Sequence, residues 1–170
     1  MISTSDFKHL GSIRTDLKKL KDWCYSQLPT MTYSVSNYTV GRRKEKWFEK
    51  GWKLSQPVEV FDAFHDERIY QLGQGLFPDN DACLFLYYPQ GAYIKPHQDH
   101  TASENWVVQI NIGCPVTLTV GGNRYPLADG EIVGFNSKVL HSVCAAPEDR
   151  FVISWRKIKP IYLNRQLSIL

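Results

Sequence analysis

The sequence predicts an α+β fold, mainly β, built as a sandwich or barrel with helices contributed by its N-terminal part. Three observations carry this. Helical spacing of apolar residues is confined to the region before residue 77. From Ala82 onward, short apolar or alternating runs recur with turn signals every eight to twelve residues. The length, 170 residues with 43% hydrophobic side chains, suits one domain able to bury a core.

Residues 5–28 place Phe7, Leu10, Ile13, Leu17, Leu20 and Cys24 at spacings of three and four, with lysines on the other face. This predicts a helix covering one face of a sheet, with Pro29 as its stop signal. Short strands are expected at 32–36 and 38–40, followed by a basic and aromatic segment, 41–53. A second helix is expected to begin near Pro57, with Val60, Phe61, Phe64 and Leu72 on its apolar side. Residues 82–88 form a nearly continuous apolar run, ended by the turn Pro89-Gln90-Gly91. Residues 106–112 alternate, Val108, Ile110 and Ile112 facing one way and Gln109 and Asn111 the other. Strands at 116–120 and 124–127 flank Gly121-Gly122-Asn123, a hairpin signal. Asp129-Gly130 turns into 131–135, and 151–155 makes a last alternating strand.

The net charge, +3, neither demands nor excludes a nucleic-acid partner. No apolar run approaches the roughly 20 residues that cross a bilayer, and residues 1–8 are polar and mixed, unlike a signal peptide. Cys24, Cys83, Cys114 and Cys144 form no Cys-x-x-Cys pair and read as inert thiols in a reducing compartment. An intracellular protein is expected, cytoplasmic or nuclear, without a membrane partner and monomeric.

The chemistry concentrates in three residues. His97 and Asp99 stand two apart, so on an extended segment they share a side, and His141 lies forty-four positions beyond His97. Two imidazoles and one carboxylate are the facial set of non-haem Fe(II) oxygenases, which leaves coordination positions open. Zinc more often takes a third histidine or a cysteine. Arg150 and Arg156 are six apart, on one face of the last strand with Val152 and Ser154. A guanidinium there can clamp the carboxylate of an organic co-substrate; the alternative is a surface salt bridge. His100 points away from the pair by alternation and reads as surface or supporting, and His9 and His65 as solvent-facing.

The stretch 78–99 resembles the AlkB family of 2-oxoglutarate- and Fe(II)-dependent dioxygenases. It carries Asp81-Ala82-Cys83-Leu84, Tyr88 nine before the histidine, the Gly91-Ala92 turn and His97-Gln98-Asp99. Asp129-Gly130, His141 and the arginine pair complete the likeness, which spans residues 77–157 and extends to the first 75 only in general arrangement. It implies a double-stranded β-helix, or jelly roll, with N-terminal helices packed on one sheet. The chain 1–170 would then be one dioxygenase domain, 1–76 supplying helices and a substrate lid and 77–160 the jelly-roll core. By position, the resemblance implies Fe(II) ligation by His97, Asp99 and His141, and a hydrogen bond from Tyr88 to 2-oxoglutarate. Arg150 would pair with the distal carboxylate, and Arg156 would sit by Asp99 and the chelating end. With O2, the implied reaction is oxidative demethylation of N-alkylated bases in DNA or RNA, with formaldehyde leaving. Leu86 and Val152 depart from the family, which often has asparagine at both places; Gln109 and Asn111 are candidates to compensate. These departures leave room for a small molecule or a protein side chain as substrate.

In the family the region before the jelly roll covers the nucleotide. Here that region offers Arg42, Arg43, Lys44, Lys46, Trp47, Lys50, Trp52 and Lys53. Cations suit phosphates and rings suit an extruded base. Arg42, Arg43, Trp47 and Tyr38 are the candidate substrate contacts, with Tyr33 a further stacking group; a solvated loop with core-packed tryptophans is the alternative.

Overall fold

The computed structural model describes residues 5–167; the polar start at 1–4 and the last three residues lie outside them. In chain order the strands are β1 (Phe7–Ser12), β2 (Thr32–Tyr33), β3 (Thr39–Val40), β4 (Lys44–Phe48), β5 (Lys50–Lys53), β6 (Glu59–Asp62) and β7 (Ala82–Tyr88). Then follow β8 (Tyr93–His97), β9 (Ser103–Ile112), β10 (Val116–Val120), β11 (Asn123–Leu127), β12 (Glu131–Asn136), β13 (His141–Val143) and β14 (Arg150–Ile158). The helices are α1 (Leu17–Gln27), α2 (Glu67–Leu76) and α3 (Pro160–Leu167).

A seven-stranded sheet runs β1-β12-β9-β14-β7-β4-β2, and a five-stranded sheet runs β11-β10-β13-β8-β3. All the pairings are antiparallel. One core lies between the sheets, where Leu86, Val107, Val133 and Val152 meet Ile94, Val116, Leu118 and Val143. A second core lies on the outer face of the larger sheet, where Phe85, Ile110, Ile153 and Trp155 pack against Leu20 and Cys24 of α1 and Ile69 of α2. This is the double-stranded β-helix with helices on one sheet. The continuous apolar run of β7 follows: Phe85 serves the outer core and Leu86 and Tyr88 the inner one, so both faces are buried.

Two elements differ from the sequence expectation. Residues 5–28 do not form one helix. Their first part is edge strand β1, paired with β12 through a register shift between His9 and Gly11, and only Leu17–Gln27 is helical. Gly11 adopts φ 142°, open to glycine and closed to a helix. The free edge of β12 satisfies the segment's backbone groups, which outweighs a fortuitous three-four spacing. The second helix does not begin at Pro57. Residues Glu59–Asp62 pair with β5, setting Val60 opposite Trp52. The helix starts instead after Asp66, whose carboxylate accepts from the Ile69 N–H at 3.1 Å. Three cysteines are buried, and Cys144 is exposed.

Candidate active site

His97 closes β8 and His141 opens β13. The two strands are neighbours, and His97 and His141 are direct register partners. Strand pairing thus removes the forty-four-residue separation. Asp99 lies two residues past the end of β8, held by its N–H donating to the Ser137 carbonyl at 2.9 Å. Its Oδ1 lies 3.4 Å from Nε2 of His97 and 3.4 Å from Nε2 of His141. The three potential ligand atoms all fall within 4.8 Å of one another.

The imidazole tautomers follow from the backbone. His97 Nδ1 lies 2.8 Å from the Lys95 carbonyl, and His141 Nδ1 lies 2.9 Å from the Val139 carbonyl. A carbonyl can only accept, so each Nδ1 carries a hydrogen, and each Nε2 is the atom turned toward the shared point. Burial by itself would raise the Asp99 carboxyl. The Arg156 guanidinium, which donates to Oδ2, and the two imidazoles outweigh it and hold Asp99 well below the usual carboxylate range. The donor set is therefore one carboxylate and two imidazole nitrogens, the composition a divalent borderline metal takes.

The triad opens onto a cavity of about 650 Å³ between the sheets, also lined by Tyr88, Arg150 and Arg156. Arg150 is 1% exposed. Its Nε donates to Asn111 Oδ1 at 2.6 Å, while its Nη2 has no hydrogen-bond partner among the described residues. Burial lowers its pKa, and the groups that act electrostatically on it are Tyr88, Cys114 and Cys144, none of them a carboxylate. A buried guanidinium without an anion is costly, and a carboxylate entering this cavity would supply the missing partner. Asn111 is fully engaged: its amide nitrogen donates to the carbonyls of Cys114 and Ala128, both at 2.9 Å. It orients Arg150 and has both N–H donors engaged, so it has no donor left over to compensate for Leu86 and Val152, which face each other across β7 and β14. Gln109 is buried and lines the cavity.

The cations of the basic segment do not all face solvent. Arg43 is 7% exposed and points inward, its Nη1 donating to Tyr88 Oη at 3.0 Å. Lys46 is buried, its ammonium donating to Gln27 and Thr30. Lys50 pairs with Asp62 and Lys53 with Glu59 across the β5–β6 ribbon. Arg42 and Lys44 both lie over the exposed Tyr33 ring. The rings, by contrast, do gather at the cavity. Tyr38 stacks on the His97 imidazole with centroids 5.3 Å apart. Trp47 and Trp52 pack together at 4.5 Å, and Phe61 joins them on the wall.

Several contributors carry no sequence signal. Lys138 donates to the Asp99 and His100 carbonyls and to Ser103 Oγ, tying the segment from Asp99 to Ser103 to the turn before His141. His100 is half-buried rather than at the surface; it lines the cavity, and its Nδ1 accepts from the Ala102 N–H. His9 and His65 are exposed.

No family model and no curated protein matches the sequence. Solved structures match in fold. OsALKBH1 superposes with a TM-score of 0.65 at 12% identity, over 89% of this chain and 99% of its own. A prolyl hydroxylase from Trichoplax adhaerens, solved with a hypoxia inducible factor peptide fragment, gives 0.65 at 14% identity, over 96% of this chain and 88% of its own. An oxidoreductase of the 2OG-Fe(II) oxygenase family from Burkholderia pseudomallei gives 0.62 at 12% identity, over 89% and 84%. The chain has the fold of the 2-oxoglutarate/Fe(II) oxygenases, and it carries a His-Asp-His cluster in the cavity between its sheets. Among the described residues, no helix is long and apolar enough to cross a membrane.

Proposed function

We propose that the chain is an Fe(II)- and 2-oxoglutarate-dependent dioxygenase of the AlkB type that oxidatively demethylates N-alkylated bases in nucleic acid. The observation that carries the enzymatic part is the meeting, in one cavity, of two imidazole Nε2 atoms and a carboxylate with a buried guanidinium that, among the described residues, has no carboxylate partner. His97, Asp99 and His141 would hold iron, Arg150 with Tyr88 the distal carboxylate of 2-oxoglutarate. Bound iron, 2-oxoglutarate and O2 would supply the oxidising chemistry.

The chain's own residues bind, orient and exclude water. Arg156 keeps Asp99 ionised and turns one of its oxygens away from the two imidazoles. Asn111 fixes the plane of the Arg150 guanidinium. Leu86, Val152 and Ile94 keep the space between them apolar. Tyr38, Trp47, Trp52 and Phe61 offer rings against which a planar methylated group can stack.

The test is formaldehyde release from N-methylated DNA and RNA oligonucleotides by iron-loaded protein with 2-oxoglutarate. Release from at least one supports the reading; none across the panel, with iron bound and 2-oxoglutarate consumed, removes the nucleic-acid part. A second reading, oxygenation of a small molecule or a protein side chain, is favoured by the cations of the 41–53 segment, several of which are internally satisfied. The Trichoplax neighbour, solved with a peptide fragment, is consistent with it. That reading expects oligonucleotide binding with little dependence on salt, where several phosphate contacts would give a steep slope.

A further inference from the structure

We infer that Arg43 is a positioning residue for 2-oxoglutarate: it directs the Tyr88 hydroxyl proton into the cavity, toward the distal carboxylate. The inference rests on the dioxygenase reading and adds to it a residue from outside the jelly-roll core.

Arg43 stands on the segment leading into β4, which pairs with β7, where Lys44 lies opposite Tyr87. Both Arg43 and Tyr88 are buried and line the cavity. An arginine can only donate, so the 3.0 Å contact from Arg43 Nη1 makes Tyr88 Oη an acceptor. The hydroxyl has one proton, which that contact leaves for another direction. Arg150 cannot receive it, because a guanidinium also accepts nothing. Both cations lie close to the Tyr88 ring, its centroid 5.6 Å from Arg43 Cζ and 5.1 Å from Arg150 Cζ. A carboxylate entering beside Arg150 is then the acceptor that this arrangement suits.

Arg43 is itself held. Its Nη2 donates to Ser34 Oγ at 2.6 Å, and Glu45 lies 3.8 Å from the same nitrogen. The neighbouring inner positions, Leu86 and Val152, have no polar group to offer. A guanidinium acting through a tyrosine thus stands in for polar contacts that the sheet does not make.

The experiment is a double-mutant cycle read by calorimetric titration of 2-oxoglutarate into full-length protein loaded with Mn(II), which requires no turnover. Arg43→Met should weaken binding about tenfold, the value of one charge-assisted hydrogen bond. Arg43→Lys should recover part of this, since an ammonium still donates to Oη. Tyr88→Phe should weaken binding comparably, and adding Arg43→Met to Tyr88→Phe should weaken it no further, because the path runs through the hydroxyl. If Arg43→Met does not fold, Ser34→Ala, which only loosens Arg43, should give a smaller loss that vanishes in the Tyr88→Phe background. Wild-type affinity in the Arg43 variants, or losses that multiply in the double variant, would overturn the inference while leaving the dioxygenase reading intact. No binding by the wild type would overturn both.

Discussion

Replacing Arg150 by methionine separates stability from co-substrate binding. In the folded chain Arg150 is buried; among the described residues it donates to Asn111 and its Nη2 has no partner. Methionine keeps much of the volume and removes the charge. The effective cost of an unpaired buried ion is several kcal/mol, and relief of it opposes the loss of one partner for Asn111, worth about 1–3 kcal/mol. The ligand-free variant should therefore melt no lower than the wild type. Its response to 2-oxoglutarate should collapse. Removing one partner of a buried charge pair costs about 2–5 kcal/mol, and about 2.8 kcal/mol is already a hundredfold in Kd. At a concentration one hundred times the wild-type Kd, the ligand stabilises the wild type by about 2.7 kcal/mol and such a variant by about 0.4 kcal/mol. At about 2–4 °C per kcal/mol for a chain of this size, a shift of roughly 5–11 °C should fall to about 1 °C. Thermal denaturation of Mn(II)-loaded protein, with and without 2-oxoglutarate, reads both quantities. An undiminished ligand-induced shift in the variant would refute the assignment of Arg150.

Three further outcomes are expected. His141→Ala should weaken Mn(II) or Fe(II) binding by at least about a hundredfold, more than loss of a supporting hydrogen bond; equilibrium dialysis checks it, and retained stoichiometric metal would refute the ligand set. Gly73→Ala tests the approach of α2 to the sheet: a Cβ there would lie 2.3 Å from Trp155 Nε1 and 2.6 Å from its Cδ1. The gain of about 1 kcal/mol in helix propensity is outweighed by overpacking of about 1–3 kcal/mol, so the urea midpoint should drop rather than rise. His65 lies between Glu49 and Glu67, whose hydrogen bonds raise its pKa. Folding therefore favours its protonated form. The stability margin of the wild type over His65→Gln should be complete below the ordinary histidine pKa of about 6.5 and disappear as pH rises through the higher folded value. Urea midpoints of both proteins from pH 5.5 to 8.5 check this, and an unchanging margin would count against the bracket.

The parts of the site that are legible in the sequence are those set by short-range geometry. His97 and Asp99 two apart, and Arg150 and Arg156 six apart, share a side of extended chain because side chains alternate with period two. The run 82–88 reads as a nearly continuous apolar stretch of the β region, and it forms β7, which the structure buries on both faces. The N-terminal region was less legible. Phe7, Leu10 and Ile13 carry a helical spacing, yet the segment up to Ser12 pairs with β12, a partner more than a hundred residues away. Val60 and Phe61 read as the side of a helix, yet β5 lies close enough to pair with them. The basic composition of 41–53 could not say which cations face solvent. Lys46 is covered by Gln27 and Thr30, and Arg43 turns toward Tyr88.

The amino-acid order alone determined which donor types are present, their local faces, and the alternation that makes a two-sheet core. Tertiary structure alone decided that His141 stands beside His97, that Asn111 grips Arg150, and that Arg43 of the basic segment reaches Tyr88 in the cavity lining. The reason is that alternation along a strand is a property of neighbouring peptide units. Which strand lies beside which depends on closing loops tens of residues long, and that is settled only when the whole core packs.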